Sequence, residues 1–190
     1  MDMKIVLILL GSPRKNGNSA VLAEQVGAGA SSGGATVKSI ILHDLNIKPC
    51  RGCRNCQKEE ANGCVINDDM QDIYPLLREA DVIVLASPVY WFTFSAQLKL
   101  CIDRWYAVGI GERNIFAGKE LALLLVYADS DPFISGGVNA LRSFQDICRY
   151  LNAKMAGMVY GSAREEGEIR NNHEIMEKAF RLGVELATRC

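Results

Sequence analysis

The sequence predicts an α/β protein with a doubly wound parallel sheet. Two observations predict it: five strand patterns alternate with five helical patterns along the chain, and the first strand pattern is continuously apolar. Continuous apolar runs are typical of parallel strands buried on both faces, whereas half-exposed strands alternate. Strands that alternate with helices join through right-handed crossovers into one sheet.

The first βαβ unit occupies the N-terminal third of the chain. Residues Lys4 to Gly11 predict a first strand, and Ser19 to Ala30 predict a helix. The run Ser31-Ser-Gly-Gly34 breaks the helix, and Thr36 to Leu42 is a β-branched, apolar second strand.

The remaining elements continue the alternation. Asp68 and Asp69 can cap the helix that follows them. The predicted elements are a helix at Met70–Arg78, a strand at Asp81–Ala86, a helix at Ser95–Tyr106, a strand at Leu121–Tyr127, a helix at Val138–Leu151, a strand at Lys154–Val159 and a helix at Glu174–Thr188.

Composition predicts one domain, residues 1–190, with a small or local partner. A chain of 190 residues with 49% hydrophobic content buries about 70% of its unfolded surface. Because 21 Lys and Arg face 22 Asp and Glu, no broad field favours nucleic acid or a membrane surface. The apolar stretches are shorter than the ~20 residues that span a bilayer, and the chain enters a strand directly. We therefore expect a cytoplasmic protein.

The loop from Gly11 to Ser19 predicts an anion site. A strand that ends in small residues and opens a helix presents free backbone N–H groups and the positive end of the helix dipole. The side chains that add donors, charge or close backbone approach are Ser12, Arg14, Lys15, Gly17, Asn18 and Ser19. The glycine spacing fits neither a Walker A loop nor the dinucleotide fingerprint. A terminal monophosphate is the better match.

A second loop with the character of a binding site is Ser87–Phe94, at the carboxyl end of the third predicted strand. Its Tyr90 and Trp91, with exposed backbone amides, suit a flat ring that forms hydrogen bonds, although buried core aromatics are the plainer alternative. We expect this loop to converge with Gly11–Ser19 and Ala128–Pro132, because ligands bind past the carboxyl ends of parallel strands.

A cysteine-rich insertion at about residues 43–69 is too long for a simple connection. It holds four cysteines at C-x2-C-x2-C-x7-C spacing, namely Cys50, Cys53, Cys56 and Cys64. Four thiolates so spaced suit a 4Fe–4S cluster, a zinc ion, or reduced and redox-active thiols. Cys101 and Cys148 fall in helical patterns and are expected to be small core residues.

Three motifs together resemble the flavodoxin-like NADPH-dependent FMN reductase superfamily, in its iron-sulfur flavoprotein branch. They are Gly11–Ser19, Pro49–Cys56 with Gly63-Cys64 and Asp68-Asp-Met70, and Ser87–Trp91 with Asp103-Arg104. The resemblance covers nearly the whole chain. It implies a three-layer sandwich with a five-stranded parallel sheet in the order 2-1-3-4-5, FMN bound noncovalently, and a homodimer or homotetramer.

The same resemblance implies a site and a function. Ser12, Arg14, Gly17, Asn18 and Ser19 match its phosphate loop, and Pro88, Val89, Tyr90 and Trp91 match its segment along the flavin ring. We expect an FMN-dependent oxidoreductase that passes electrons between FMN and a 4Fe–4S cluster, with the flavin as redox centre and no catalytic side chain. Its donor or acceptor would be a small molecule such as NAD(P)H or a ferredoxin-type protein. The alternatives are a cluster-free NAD(P)H-dependent flavin or quinone reductase, a nonenzymatic redox sensor and a zinc-stabilised loop.

Overall fold

A computed structural model of the chain describes residues 3–61 and 63–189. Strands and helices alternate along this described part, and 3₁₀ turns lie at Leu42–Asp44 and Asn55–Gln57 within the insertion. The strands are β1 (Ile5–Leu10), β2 (Thr36–Ile41), β3 (Val82–Tyr90), β4 (Thr93–Phe94), β5 (Glu120–Tyr127) and β6 (Lys154–Ser162), and the helices are α1 (Asn18–Ser32), α2 (Met70–Glu79), α3 (Ala96–Arg104), α4 (Gly137–Tyr150) and α5 (His173–Thr188).

Five strands form a parallel sheet in the order β2-β1-β3-β5-β6. The predicted order is confirmed, since β5 and β6 are the fourth and fifth parallel strands along the chain. The chain moves outward from β1 to one edge and then crosses to the other side. The order of connection therefore reverses between β1 and β3, where ligands bind in such folds.

The short strand β4 was not predicted, and the prediction that Ser87–Phe94 is entirely loop is wrong. Strand β3 continues to Tyr90 because it pairs with β4 in an antiparallel hairpin, with Val89 opposite Phe94. Trp91 and Phe92 form the two-residue turn, with φ of 45° and 66°. Positive φ at both turn residues matches the twist of the paired strands.

The two faces of the sheet carry separate hydrophobic clusters, because successive side chains of a strand point to opposite faces. In β3, Ile83 and Leu85 join the cluster under α2, α3 and α4. Val82 and Val84 join the cluster under α1 and α5. Each central strand is therefore buried on both sides, as its continuous apolar sequence predicts.

Differences in element boundaries matter at the carboxyl edge of the sheet. Strand β6 extends to Ser162 instead of ending at Val159 and pairs with β5 as far as Tyr127. The three extra residues bring the connection after β6 to the same edge as the predicted binding loops. Among the described residues, no helix combines the length and the apolar character needed to cross a bilayer.

Candidate functional site

The loop between β1 and α1 places the start of the helix at the carboxyl edge of the sheet. Helix α1 begins one residue earlier than predicted, at Asn18, and its N-cap is Gly17 in an extended conformation with φ of −66°. A glycine N-cap has no side chain to bind the first-turn N–H groups, so these donors are left for a ligand. The first turn carries no acidic residue that would repel an anion.

Close packing against a neighbouring helix holds this loop in place. A Cβ atom at Gly11 would lie 2.6 Å from Ser95 Oγ and 2.8 Å from Leu98 Cβ. Gly11 donates its N–H to Ala86 O at 2.8 Å, and its carbonyl accepts the Ser95 hydroxyl at 2.7 Å. The first residue of the predicted anion loop is therefore fixed against both β3 and the start of α3.

One cavity of about 320 Å³ joins the two predicted binding segments. It lies past the carboxyl ends of β1, β3, β5 and β6, which is the expected ligand position in a parallel sheet. From the predicted residues, its lining contains Ser12, Arg14, Gly17, Asn18, Ser19, Pro88, Val89 and Tyr90. Ser12 and Ser19 are buried, whereas Arg14 is exposed at the rim.

The Asn18 side chain, predicted to contact the phosphate, forms hydrogen bonds within the protein in this structure. Its Nδ2 donates to Glu165 O at 2.8 Å, and its Oδ1 accepts the N–H of Ile169 at 3.1 Å. The amide therefore ties the start of α1 to the connection between β6 and α5. Asn18 shapes the cavity wall through these bonds, while its backbone remains at the helix terminus.

Sequence reasoning missed the part of the cavity wall that follows β6. The additional lining residues are Val126, Tyr127, Ala128, Ala163, Arg164 and Glu166. Arg164 donates from Nε to Ala128 O at 3.0 Å and lies 3.6 Å from Asp129. Burial raises the pKa of Tyr127, and its neighbours Tyr160 and Asp131 add to the effect. A correct end for β6 would have pointed to Ala163 and Arg164, because residues that follow parallel strands meet at one edge.

Trp91 lines an adjoining cavity of about 480 Å³, together with Phe92 and Ser135. Val89, Tyr90, Tyr127 and Ala128 line both cavities, which therefore lie side by side. The two cavities therefore distinguish Tyr90 from Trp91, which the sequence analysis placed together along the same ring. Tyr90 faces both cavities, whereas the Trp91 side chain is 91% exposed and contributes only to the outer one.

The turn that projects Trp91 is held from below by the start of α4. A Cβ atom at Gly136 would lie 2.5 Å from Phe92 Cβ, and Gly136 itself has a φ of 73°. Asn139 Nδ2 donates to Phe92 O at 3.2 Å. Left-handed backbone at two bulky residues costs on the order of 1–3 kcal/mol each. These contacts maintain the strained turn beside the cavity.

The four cysteines of the insertion do not surround one centre in this structure. Cys50 and Cys53 are exposed, Cys56 is buried and Cys64 is half-buried. Within residues 3–61 and 63–189, no three His, Cys, Asp or Glu side chains lie close enough together to hold a metal ion. The donor types fit an iron-sulfur or zinc centre, but their present positions do not.

The remaining described cysteines lie in the core, as predicted. Cys101 and Cys148 are buried in the cluster beneath α3 and α4. Burial raises the pKa of Cys101 to about 12 and that of Cys148 to about 11. Both therefore remain neutral thiols at neutral pH and act as small apolar residues.

A buried ion pair closes the base of the cysteine segment, which we define as residues 43–69. The side chains of Asp68 and Arg104 are both fully buried, and Arg104 NH2 donates to Asp68 Oδ1 at 3.1 Å. Asp68 also accepts the N–H of Lys48 at 2.8 Å, and Arg104 donates to Lys48 O at 2.9 Å. Asp69 accepts the N–H of Asn46 at 2.7 Å. The two ends of the segment are thus tied together through Arg104.

Electrostatics favour the charged state of both partners in this pair. Burial alone would raise the pKa of Asp68, but the hydrogen bonds and charge of Arg104 and the N–H of Lys48 hold it below its ordinary value. Burial would lower the pKa of Arg104, yet Asp68, Tyr74 and Cys64 together raise it. The pair was visible in the sequence only as parts of two motifs, Asp68-Asp-Met70 and Asp103-Arg104.

A doubly wound parallel sheet with a cavity past the carboxyl ends of β1 and β3 defines a flavodoxin-like α/β protein. The model of the NADPH-dependent FMN reductase family matches residues 3–168. The chain belongs to this family and is a flavin oxidoreductase.

Individual relatives and a solved structure agree with this family. An iron-sulfur flavoprotein of Archaeoglobus fulgidus is 30% identical over 181 residues, covering 94% of this chain and 77% of that protein. YwqN of Bacillus subtilis, whose name describes an NAD(P)H-dependent FMN-containing oxidoreductase, is 28% identical over 95% of this chain and 96% of its own. An archaeal flavodoxin structure has a TM-score of 0.58 at 16% identity, covering 97% of this chain and 96% of its own, and shows the shared fold.

Proposed function

We propose that the cavity past β1 and β3 binds FMN noncovalently, with its phosphate at Gly11–Ser19 and its ring along Pro88–Tyr90. One observation carries the placement: a single cavity is lined by residues of both segments, in a chain of the FMN reductase family. Bound FMN supplies hydride and single-electron transfer, while the protein binds and orients it.

The chain's own groups suit a phosphate on the Gly11–Ser19 side of this cavity. The N–H groups and dipole at the start of α1 attract a dianion. The hydroxyls of Ser12 and Ser19 are buried in the wall, and the guanidinium groups of Arg14 and Arg164 line the rim. Arginine forms charge-assisted hydrogen bonds to phosphate, so these side chains would fix the position of the cofactor.

The proposal is tested by anaerobic purification followed by extraction and stoichiometric analysis of the flavin. We expect about one FMN per chain and bleaching of its absorbance by an electron donor. A protein that binds no flavin after incubation with excess FMN would contradict the placement.

We further propose that Cys50, Cys53, Cys56 and Cys64 are the ligands of a 4Fe–4S cluster. Support comes from their spacing and from the iron-sulfur flavoprotein of A. fulgidus, which aligns with 94% of the chain. The structure does not gather these thiols, so a cluster requires rearrangement of the segment. Iron, acid-labile sulfide and zinc analysis of anaerobically purified protein separates a cluster from a zinc site and from free thiols. Flavin without iron would defeat the cluster.

The aromatic outer cavity favours a second candidate, a cluster-free NAD(P)H-dependent reductase. The outer cavity has a volume of about 480 Å³ and shares wall residues with the proposed flavin site, so it has room for a flat donor or acceptor beside the ring. The name of YwqN describes NAD(P)H dependence. Rapid bleaching of bound FMN by NADPH, slowed in Trp91→Ala, would support this candidate. Reduction only by a ferredoxin would support the electron carrier.

The remaining proposals concern partners and assembly. We propose a cytoplasmic homodimer or homotetramer that exchanges electrons with a small molecule or a ferredoxin-type protein. The near balance of 21 basic and 22 acidic residues provides no broad field for nucleic acid or membranes. Light scattering coupled to size-exclusion chromatography measures the assembly, and a monomeric mass would contradict it.

A further inference from the structure

Two buried serines lie between the two segments proposed to hold the flavin, the phosphate loop (Gly11–Ser19) and the ring segment (Pro88–Tyr90). Ser87 belongs to β3 and Ser95 directly precedes α3, and both residues are 0% exposed. Neither residue lines the cavity proposed for FMN. A buried hydroxyl requires partners within the protein, because leaving it unpaired is costly. The partners of these hydroxyls therefore show which parts of the chain the serines hold together.

The Ser87 hydroxyl is bonded at the start of the ring segment. Its Oγ donates to Pro88 O at 2.8 Å and accepts the N–H of Ser95 at 3.0 Å. Because a hydroxyl has a single proton to donate, that proton is committed to Pro88, the first residue of the ring segment. Ser87 thus ties the ring segment to the residue that begins α3.

The Ser95 hydroxyl is bonded to the start of the phosphate loop. Its Oγ donates to Gly11 O at 2.7 Å and accepts the N–H of Leu98 at 3.3 Å. The second bond is the N-cap of α3, so the helix terminus fixes the position of the hydroxyl. The backbone of Gly11 packs so closely that a Cβ atom there would lie 2.6 Å from Ser95 Oγ. The phosphate loop therefore begins against a helix terminus whose position is set by Ser95.

We infer that Ser87 and Ser95 are positioning residues for FMN, because their hydrogen bonds form one continuous path from Pro88 to Gly11. This path sets the spacing between the phosphate loop and the ring segment before a ligand arrives. A ligand that is held at both ends gains affinity from such fixed spacing, since less ordering remains at binding. The inference rests on the proposed FMN site and extends it to two residues that do not line the cavity.

A comparison of FMN with riboflavin separates positioning from general stabilisation. Riboflavin lacks the phosphate, so it does not depend on the spacing between the two segments. In Ser95→Ala we expect the FMN dissociation constant to rise roughly 5- to 10-fold and that of riboflavin by less than about 2-fold. Quenching of flavin fluorescence measures both constants at a temperature where circular dichroism shows each variant to be folded. Equal factors for the two flavins, or no change in either, would overturn the inference.

Two further variants define the path. Ser87→Ala releases the ring segment, which both flavins share, and should therefore raise both dissociation constants by similar factors. Unchanged binding of both flavins in this variant would remove Ser87 from the path. Ser32→Ala is the matched control, because it removes a serine hydroxyl bonded to Gly29 O at 2.8 Å at the opposite end of α1 from the phosphate loop. It should leave both constants unchanged, and an altered ratio of FMN to riboflavin affinity would contradict the local action of Ser95.

Hydrogen exchange of the flavin-free protein separates failure of this inference from failure of the proposed function. Ser95→Ala should speed amide exchange in residues 11–19, which lose their tie to α3, while α5 keeps its native rate. Unchanged exchange in residues 11–19 would overturn the inference. Native protein that binds FMN, with an unaltered ratio of the two affinities in Ser95→Ala, would overturn the inference alone. Native protein that binds neither flavin would contradict the proposed function and the positioning role together.

Discussion

The Gly11–Ser19 loop and the cysteine segment are both predicted binding regions, but the chain builds them in different ways. The loop takes its donors from nine consecutive residues that follow β1 and run into the first turn of α1. The segment depends on distant side chains, since Arg104 lies 36 positions from Asp68 and Arg113 lies 57 positions from Cys56. One site is therefore built locally and the other by tertiary contacts.

This difference has a physical consequence for ligand binding. A loop fixed between a strand and a helix presents its N–H groups before the ligand arrives, so little ordering cost remains at binding. The cysteine segment is fixed mainly at its base, so a ligand that binds there must also order the rest of the segment. Metal binding is often coupled to folding in this way. We expect FMN binding and metal binding to respond differently to the same set of mutations.

The largest effect should follow from breaking the base of the cysteine segment. Arg104→Met leaves the buried carboxylate of Asp68 unpaired, which costs about 3–5 kcal/mol of unfolding free energy. Urea denaturation monitored by circular dichroism measures this loss. Arg142→Met is the control, because it breaks an exposed pair with Asp146 and should cost less than about 1 kcal/mol. Equal losses in both variants would show that burial of the pair is unimportant.

The next effect should be confined to the phosphate loop. Arg14→Ala and Ser19→Ala each remove a proposed partner of a charged phosphate, which is worth about 1.5–3 kcal/mol, or roughly a 10- to 150-fold rise in the FMN dissociation constant. Quenching of flavin fluorescence measures it. Lys38→Ala, which removes an exposed pair with Glu79 outside this loop, should change affinity by less than about 3-fold. Unchanged FMN binding in Arg14→Ala and Ser19→Ala would show that the phosphate does not bind at this loop.

A smaller effect should appear at Asn18, which belongs to the phosphate loop and also bonds to the distant connection after β6. Asn18→Ala removes two hydrogen bonds to the connection after β6, at a cost of roughly 1–2 kcal/mol in stability. We expect weaker FMN binding as well, because Arg164 in that connection loses its support. Asn18→Asp keeps the acceptor for Ile169 and should retain part of both. FMN affinity that falls without any loss of stability would instead indicate a direct contact with the phosphate.

The smallest effect concerns pH. Because the pKa of Asp68 is held below its ordinary value, its ion pair stabilises the fold fully above about pH 4, the unfolded pKa of aspartate, and this contribution is lost as pH falls through the folded pKa. Urea midpoints measured at decreasing pH should therefore drop more steeply in the native protein than in Asp68→Asn. Parallel curves would indicate that Asp68 does not contribute to the acid sensitivity.

The sequence by itself determined the parts of this protein that depend on local pattern. Apolar and β-branched runs that alternate with helical patterns marked the five parallel strands, and the predicted anion loop followed from small and polar residues between a strand and a helix. Cys101 and Cys148 were correctly assigned to the core because they fall within helical patterns. These features require no information about distant residues, since burial and backbone donors follow from the local run of side chains.

The tertiary structure alone decided which distant groups meet. The hairpin at Trp91 and Phe92 depends on Gly136 and Asn139, and it separates Trp91 from Tyr90 despite their adjacency. The connection after β6 reached the cavity because that strand is longer than its apolar run. Arg104 and Arg113 act on the cysteine segment through contacts between residues far apart in sequence. Spacing identified the four thiols as a possible site, but side chains more than thirty positions away bind Asp68 at the base of the segment and the backbone at Cys56.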